Sequence, residues 1–276
     1  MKRLINLKPT RGAGIALAIL PFLIVTWCYI TASLQRHSDN PTDRLLPNMQ
    51  QLVNGVQQIA FAEDKRTGDI ILWKDTRASL VRLGWGVGLS ALGGLLFGML
   101  TGMFPYARST FSPLIAVLSL IPPMAILPIL FIALGLDEVS KVALIVLGVA
   151  PFIMRDLQAR VLEIPGEQLI KAQSLGASSW QIALRIVMPQ IMPRLIDAVR
   201  LSMGAAWLFL ISAEAIAAEQ GLGYRIFLVR RYMAMDVILP YVMWITLLAY
   251  ISDRLLLACN RRCFPWLFSM NKERDA

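Results

Sequence analysis

The sequence predicts an all-α polytopic membrane protein with six transmembrane helices in a single domain, and three observations carry that reading. More than half of the 276 residues are apolar, 57%, against 16% charged, a balance that a water-soluble surface of this size could not hide. The apolar residues fall into separate runs close to the ~20 residues that a helix needs to cross a bilayer. Finally, the net charge of +9 is distributed unevenly over the segments that join those runs.

Taken in order, a basic tail at 1–11 precedes the first span, Gly12 to Leu34, which is longer than the core of a secretory signal and has no clear small-residue cleavage site after it. Residues 35–77 form the longest polar segment. Within it Met49, Leu52, Val53, Val56, Ile59 and Ala60 recur at helical spacing after Pro47, predicting an amphipathic helix on the outer membrane surface or packed against the spans. The charged stretch at 63–69 reads as an exposed turn. Span two, Arg77 to Met103, carries seven glycines that permit close helix contact, so it is expected inside the bundle. Span three, about Phe111 to Leu134, contains Pro113, Pro122, Pro123 and Pro128 and should be distorted. Span four is Lys141 to Met154, span five about Ala198 to Ala218 and span six about Val237 to Leu257. The region 221–236 is neither a clean span nor a clean loop.

Six spans leave both termini on one face, and charge selects which. The tails at 1–11 and 259–276, the turn at Arg108, the insert at 155–197 and the span ends beside them hold 16 Lys or Arg against 7 Asp or Glu, while the opposite loops hold 10 of each. The basic face is expected to be cytoplasmic. The basic balance is thereby a matter of topology, and its spread along membrane-flanking segments argues against nucleic-acid binding.

The insert between spans four and five organises the rest. Pro165 suits a helix start and Gly176 a helix end, so 165–175 read as a short helix. Ser178 or Ser179 caps a second helix, expected to stop or bend before Pro189. Leu169, Ala172 and Leu175 can form an apolar stripe, with Gln168 and Lys171 at its rim.

Gly176, nine residues, Ile186, one residue, then Met188 and Pro189 is a spacing that resembles the cytoplasmic loop signature of bacterial ABC importer permeases. That family usually has Glu-Ala-Ala where Ile170, Lys171 and Ala172 stand, and Leu in place of Met188. Residues 172–178 (AQSLGAS), 121–129 (IPPMAILPI), 213–223 (AEAIAAEQGLG) and 135–144 (GLDEVSKVAL) are similar to the branch for nitrate, sulfonates, taurine and bicarbonate. The resemblance implies a type I importer permease of the bacterial inner membrane, both termini cytoplasmic. It would work as a homodimer with two copies of a cytoplasmic ATP-binding-cassette subunit and a periplasmic or lipid-tethered solute-binding protein. It further implies that Gln168, Leu169, Lys171, Ala172, Leu175, Gly176, Ala177 and Ser178 couple the permease to the ATPase. In that branch an Arg often stands where this chain has Ser119 and an aromatic where it has Ile126, so the chain's departure makes a neutral or zwitterionic solute credible beside an anionic one.

No nucleotide-cradling loop, metal cluster or nucleophile–histidine pairing is evident, and Cys259 and Cys263 lack a histidine nearby. The chain is therefore expected to be a transport subunit and not an enzyme, with no cofactor of its own; ATP and Mg belong to the partner. Arg82 and Glu214 are the ionisable residues placed within spans. Such residues need partners or a wet cavity, and they either pair with one another or contact solute. The translocation path is expected at Ser119, Pro122, Pro123, Met124, Ser212 and Glu214. A secondary transporter driven by an ion gradient is the competing reading; it would show inverted repeats with broken helices at matching places, and no convincing repeat is present.

Overall fold

The computed structural model describes residues 11–39, 45–61 and 68–266. The basic residues before position 11, those after 266 and most of the expected turn at 63–69 lie outside them. The elements are α1 (Arg11–Asp39), α2 (Met49–Ala60), α3 (Ile71–Met103), α4 (Pro105–Leu120), α5 (Pro123–Leu134), α6 (Glu138–Leu162), α7 (Gly166–Ser174), α8 (Ser179–Ile182), a π-helical turn (Ala183–Val187), α9 (Met188–Ala217), α10 (Leu222–Arg230) and α11 (Met235–Cys263). Among the described residues five helical stretches are long and apolar enough to span a membrane, or six when α4 and α5 are counted as one broken span.

The chain divides into two compact units, Met1–Ala62 with Val229–Pro240, and Glu63–Leu228 with Tyr241–Ala276. In the first, α2 is opened by Asn48 and not by Pro47. The Asn48 side chain and Gln51 form a reciprocal capping box, while the Pro47 carbonyl accepts a bond from the Tyr29 hydroxyl of α1 at 2.9 Å. Gly55 lets α2 rest against the start of α11, since a Cβ there would lie 2.5 Å from the Asp236 carbonyl oxygen.

The second unit is built on α3, α6 and α9. Leu144, Ile145, Val149, Ile153 and Leu157 of α6 are almost fully buried, as are Ala198, Ala206, Leu210 and Ala213 of α9. On α3 the buried face is small: Gly86, Ser90, Gly94, Gly98 and Gly102 recur every four residues along one side. A Cβ at Gly86 or Gly98 would sit 2.7 Å from side-chain carbons of Ile145 or Leu157, and one at Gly94 or Gly102 would collide with Ile153 or Val161. The remaining side of α3 is open, with Trp85, Leu92 and Leu96 exposed and nothing within 4 Å of a Cβ at Gly84 or Gly88. Within this chain, then, span two is not enclosed as expected but buries one edge, because the close-packing glycines occupy a single stripe.

Pro122 and Pro123 break the third span. A residue before proline is pushed out of the α region, and Ile121 and Pro122 take ψ of 123° and 115°, so α4 and α5 meet at a bend of 98°. Pro189, by contrast, does not end its helix. The π turn ahead of it shifts the pairing by one residue, with Met188 N–H bonding to the Ala183 carbonyl, and the wider turn takes in the proline ring. Helix therefore continues from Ser179 to Ala217. Backbone pairing likewise carries α3 back to Ile71 and α6 on to Leu162, past the ends of their apolar runs.

The α3–α6 contact sets a clear expectation. Gly98→Leu should abolish the folded, monodisperse fraction in detergent, as read by size-exclusion chromatography. Gly88→Leu, on the open side of the same helix, should keep it.

Candidate functional site

Three features of the second unit can carry transport chemistry: a buried charge network, a cleft beside the broken span, and the capped polar insert.

The network starts from Asp75, Ser79 and Arg82, which lie at i, i+4 and i+7 and so share one face of α3. Glu214 of α9 is fully buried. Its carboxylate accepts from Arg82 Nη1 at 2.7 Å, from Gly223 N–H at 2.9 Å and from the Ser79 hydroxyl at 2.8 and 2.9 Å to its two oxygens. Arg82 also donates to both oxygens of Glu138 on α6 and to the Gln220 carbonyl at 2.8 Å. Lys141, one turn along α6, reaches the same Glu138 at 3.1 Å. Asp75, also buried, accepts from Gly221 N–H at 2.9 Å, from Arg225 Nε at 2.9 Å and from the Tyr241 hydroxyl at 3.2 Å. Gly221 takes φ of +136°, and a Cβ there would fall 2.6 Å from the Glu214 carboxyl carbon. The turn from 218 to 223 is thus strapped to α3 through Asp75 and to the end of α9 through Glu214.

Sequence reasoning singled out Arg82 and Glu214 in this group and missed Asp75, Ser79, Glu138, Lys141 and Arg225. Polar residues at i, i+4 and i+7 of an otherwise apolar helix were the signal for the first two. The others sit near span ends, where a charge looks like an ordinary solvated flank.

The cleft, about 660 Å³, lies between the α4–α5 break, α6 and α9. Ser119 and Pro123 line it; Pro122, Met124, Ser212 and Glu214 do not. The Ser212 hydroxyl is turned to the Leu208 carbonyl at 2.8 Å. Gly148 lets the Phe209 ring lie directly on α6 and form one wall. A cation that the sequence does not place there also reaches the cleft: Arg155 Nη1 donates to Ser119 Oγ at 2.9 Å.

The insert is exposed and firmly terminated. Pro165 stands at the N-cap, before a helix of nine residues. At the other end Gly176, at φ +80°, donates to the Gln173 carbonyl at 2.9 Å, and Ala177 donates to the Ala172 carbonyl at 3.0 Å. This pair of bonds is a Schellman motif. Ser178 then opens α8 with a capping box to Gln181. Gln168 of α7 accepts from Gln190 of α9 at 3.2 Å. No residue of α7 is buried; Leu169 and Ala172 are half-exposed, Gln168, Lys171, Gly176 and Ser178 are exposed, and Leu175 is 82% exposed.

Membrane spans around a cleft, with a capped polar insert between the last long helices of the core, define a subunit of a solute-transport system. The chain belongs to the family described as the binding-protein-dependent transport system inner membrane component, whose model matches residues 94–263. It is therefore a permease subunit of binding-protein-dependent transport. Among relatives, it is 32% identical over 258 residues to the taurine transport system permease protein TauC of Escherichia coli (strain K12), covering 93% of this chain and 91% of that one. It is 30% identical over 146 residues to the nitrate import permease protein NrtB of Synechococcus elongatus, covering 53% and 52%. In fold it is similar to a chain in the crystal structure of a bacterial alginate ABC transporter in complex with an alginate pentasaccharide-bound periplasmic protein, with a TM-score of 0.63, 13% identity, and coverage of 91% of this chain and 92% of that chain.

Because Glu214 has no access to water, removing one partner should be worse than removing both. Arg82→Leu is expected to cost about 3–5 kcal/mol in unfolding free energy. Arg82→Leu combined with Glu214→Leu should cost less than either single change, measured by denaturant titration in detergent. Gly221→Ala, which drives a methyl into the Glu214 carboxylate, should lower the melting temperature as Glu214→Leu does.

Proposed function

We propose that this chain is the membrane subunit of an ATP-driven importer in which two copies of it stand on two copies of a cytoplasmic ATPase. A binding protein presents a small polar solute of the nitrate, sulfonate and taurine class at the opposite face. Both termini and the insert lie in the cytoplasm, a reading supported by the basic excess on those segments. The chain itself carries out no hydrolysis; ATP and Mg are held by the partner.

The observation that carries the proposal is the insert. Gln168, Leu169, Lys171, Ala172 and Leu175 form a short projecting helix, and Gly176, Ala177 and Ser178 make the back-to-back caps that fix it to α8 and α9. Ile170, Leu175 and Trp180 stand 66%, 82% and 71% exposed. A rigid lever with an apolar tip is what a separate motor protein can grip and move. Closure of the ATPases would draw the two inserts together and rock the spans from inward-open to outward-open.

The insert reading is tested by affinity purification of the tagged chain from its native membrane. An ATPase with a phosphate-binding loop should co-purify, and solute-loaded binding protein should raise its turnover. Gly176→Glu, which forces a side chain into a left-handed backbone position and adds charge beside the apolar tip, should abolish that stimulation. Recovery of the chain without an ATPase, together with solute movement in liposomes under an ion gradient, would overturn the proposal.

A further inference from the structure

The cleft beside the broken span has a polarity that points to one kind of solute. Its walls are mainly apolar, Leu118, Pro123, Leu147, Phe152 and Phe209 among them, and its charged lining residues are Arg155 and Asp156. Arg155 is held in place: its Nη1 donates to Ser119 Oγ at 2.9 Å, and the Ser119 hydroxyl in turn donates to the Ala116 carbonyl at 2.7 Å. A guanidinium has five N–H donors in a planar fork, so one bond to Ser119 leaves most of that fork open. Asp156 does not occupy its donors, since the Asp156 carboxylate is turned to Arg160, 3.8 Å away. Arg82 presents no such opening, being occupied by Glu138, Glu214 and the Gln220 carbonyl. A fork-shaped cation against apolar walls complements an oxyanion on a short carbon body, because its donors match two oxygens at once. A neutral solute of the same size would offer the fork no pair of anionic oxygens.

We propose that Arg155, positioned by Ser119, is the specificity-determining residue of the translocation path and binds the oxyanion group of a small acidic organic solute. The inference rests on the importer reading above and adds the residue that selects the solute. Arg155 lies near the end of an apolar run, where a basic residue ordinarily marks a membrane boundary. The continuation of α6 to Leu162 and the bend after α4 bring it to the cleft instead.

The test uses the whole complex, with its ATPase and binding protein, reconstituted in liposomes. The probes are taurine, ethanesulfonate, β-alanine and the neutral polyol erythritol; the sulfonates and the carboxylate together separate the two oxyanion chemistries. Wild type should concentrate at least one of the three acidic probes and exclude erythritol. For that probe Arg155→Gln should raise KM roughly tenfold while kcat changes far less. Exchanging the two side chains, Arg155→Ser with Ser119→Arg, returns a guanidinium to the same corner and should recover most of the affinity. Uptake of none of the acidic probes by wild type, an unchanged KM in assembled Arg155→Gln, or no recovery in the exchanged pair overturns the proposal. Should Arg155→Gln fail to assemble, phenylglyoxal modification of wild-type Arg155, read by peptide mass spectrometry, decides: protection by an acidic probe but not by erythritol supports it, and its absence overturns it. Absence of a co-purifying ATPase overturns the importer reading and this inference with it, and it is visible before any uptake is measured.

Discussion

The second unit depends on one buried carboxylate. Glu214 sits without solvent contact in an apolar helix, where an uncompensated charge would be strongly unfavourable. Its donors come from α3, through Ser79 and Arg82, and from the backbone of the turn that follows α9, through Gly223. Satisfying Glu214 therefore sets both the register of α3 against α9 and the path of the chain into α10. Asp75 repeats the arrangement one turn away, taking Gly221 N–H and Arg225. The close approach of Gly221 to the carboxylate leaves no room for a side chain. Loss of any member of this group would be felt along the whole end of the helix bundle.

The same face of α3 then changes character along its length. Asp75, Ser79 and Arg82 continue in register into Gly86, Ser90, Gly94, Gly98 and Gly102. At one end the face is held by hydrogen bonds and charge; beyond Gly86 it is held by close backbone approach to Ile145, Ile153, Leu157 and Val161. Neither mode relies on large apolar side chains of α3 itself, most of which point outward, Leu72 and Leu83 being buried. In lipid this inversion is expected, since apolar groups gain little by moving from hydrocarbon to protein, whereas van der Waals contact and polar pairing gain more.

That inversion explains what the sequence made legible and what it hid. The helical class, the number of spans and the proline break followed from composition and run length. The pairing partner of Gly98 did not, because glycines at 84, 88 and 93 look the same in one dimension and only a register with α6 tells them apart. The stop expected as one outcome before Pro189 does not occur, for a local reason: a π turn is a backbone solution that side-chain identity does not announce. Of the expected path residues, Ser119 and Pro123 reach the cleft, while Glu214 is consumed by the network. Arg155 was hidden by position, since near the end of an apolar run a basic residue reads as a boundary marker.

The insert shows how local rules and remote packing combine. A helix of nine residues is too short to persist in water alone, because nucleation is unfavourable and few bonds repay it. Here the order comes from its ends: the Schellman bonds at Gly176 and Ala177, the capping box at Ser178 and the Gln168–Gln190 contact. None of these buries the apolar side chains of Ile170, Leu175 or Trp180. The insert is thus fixed in conformation and left incomplete in packing. A loop serving only to join α6 and α9 would need neither property, since a flexible polar connection would do. Order without burial is what the proposed grip by a motor subunit requires, and the continuous helix from Ser179 to Ala217 leads from the insert to Glu214.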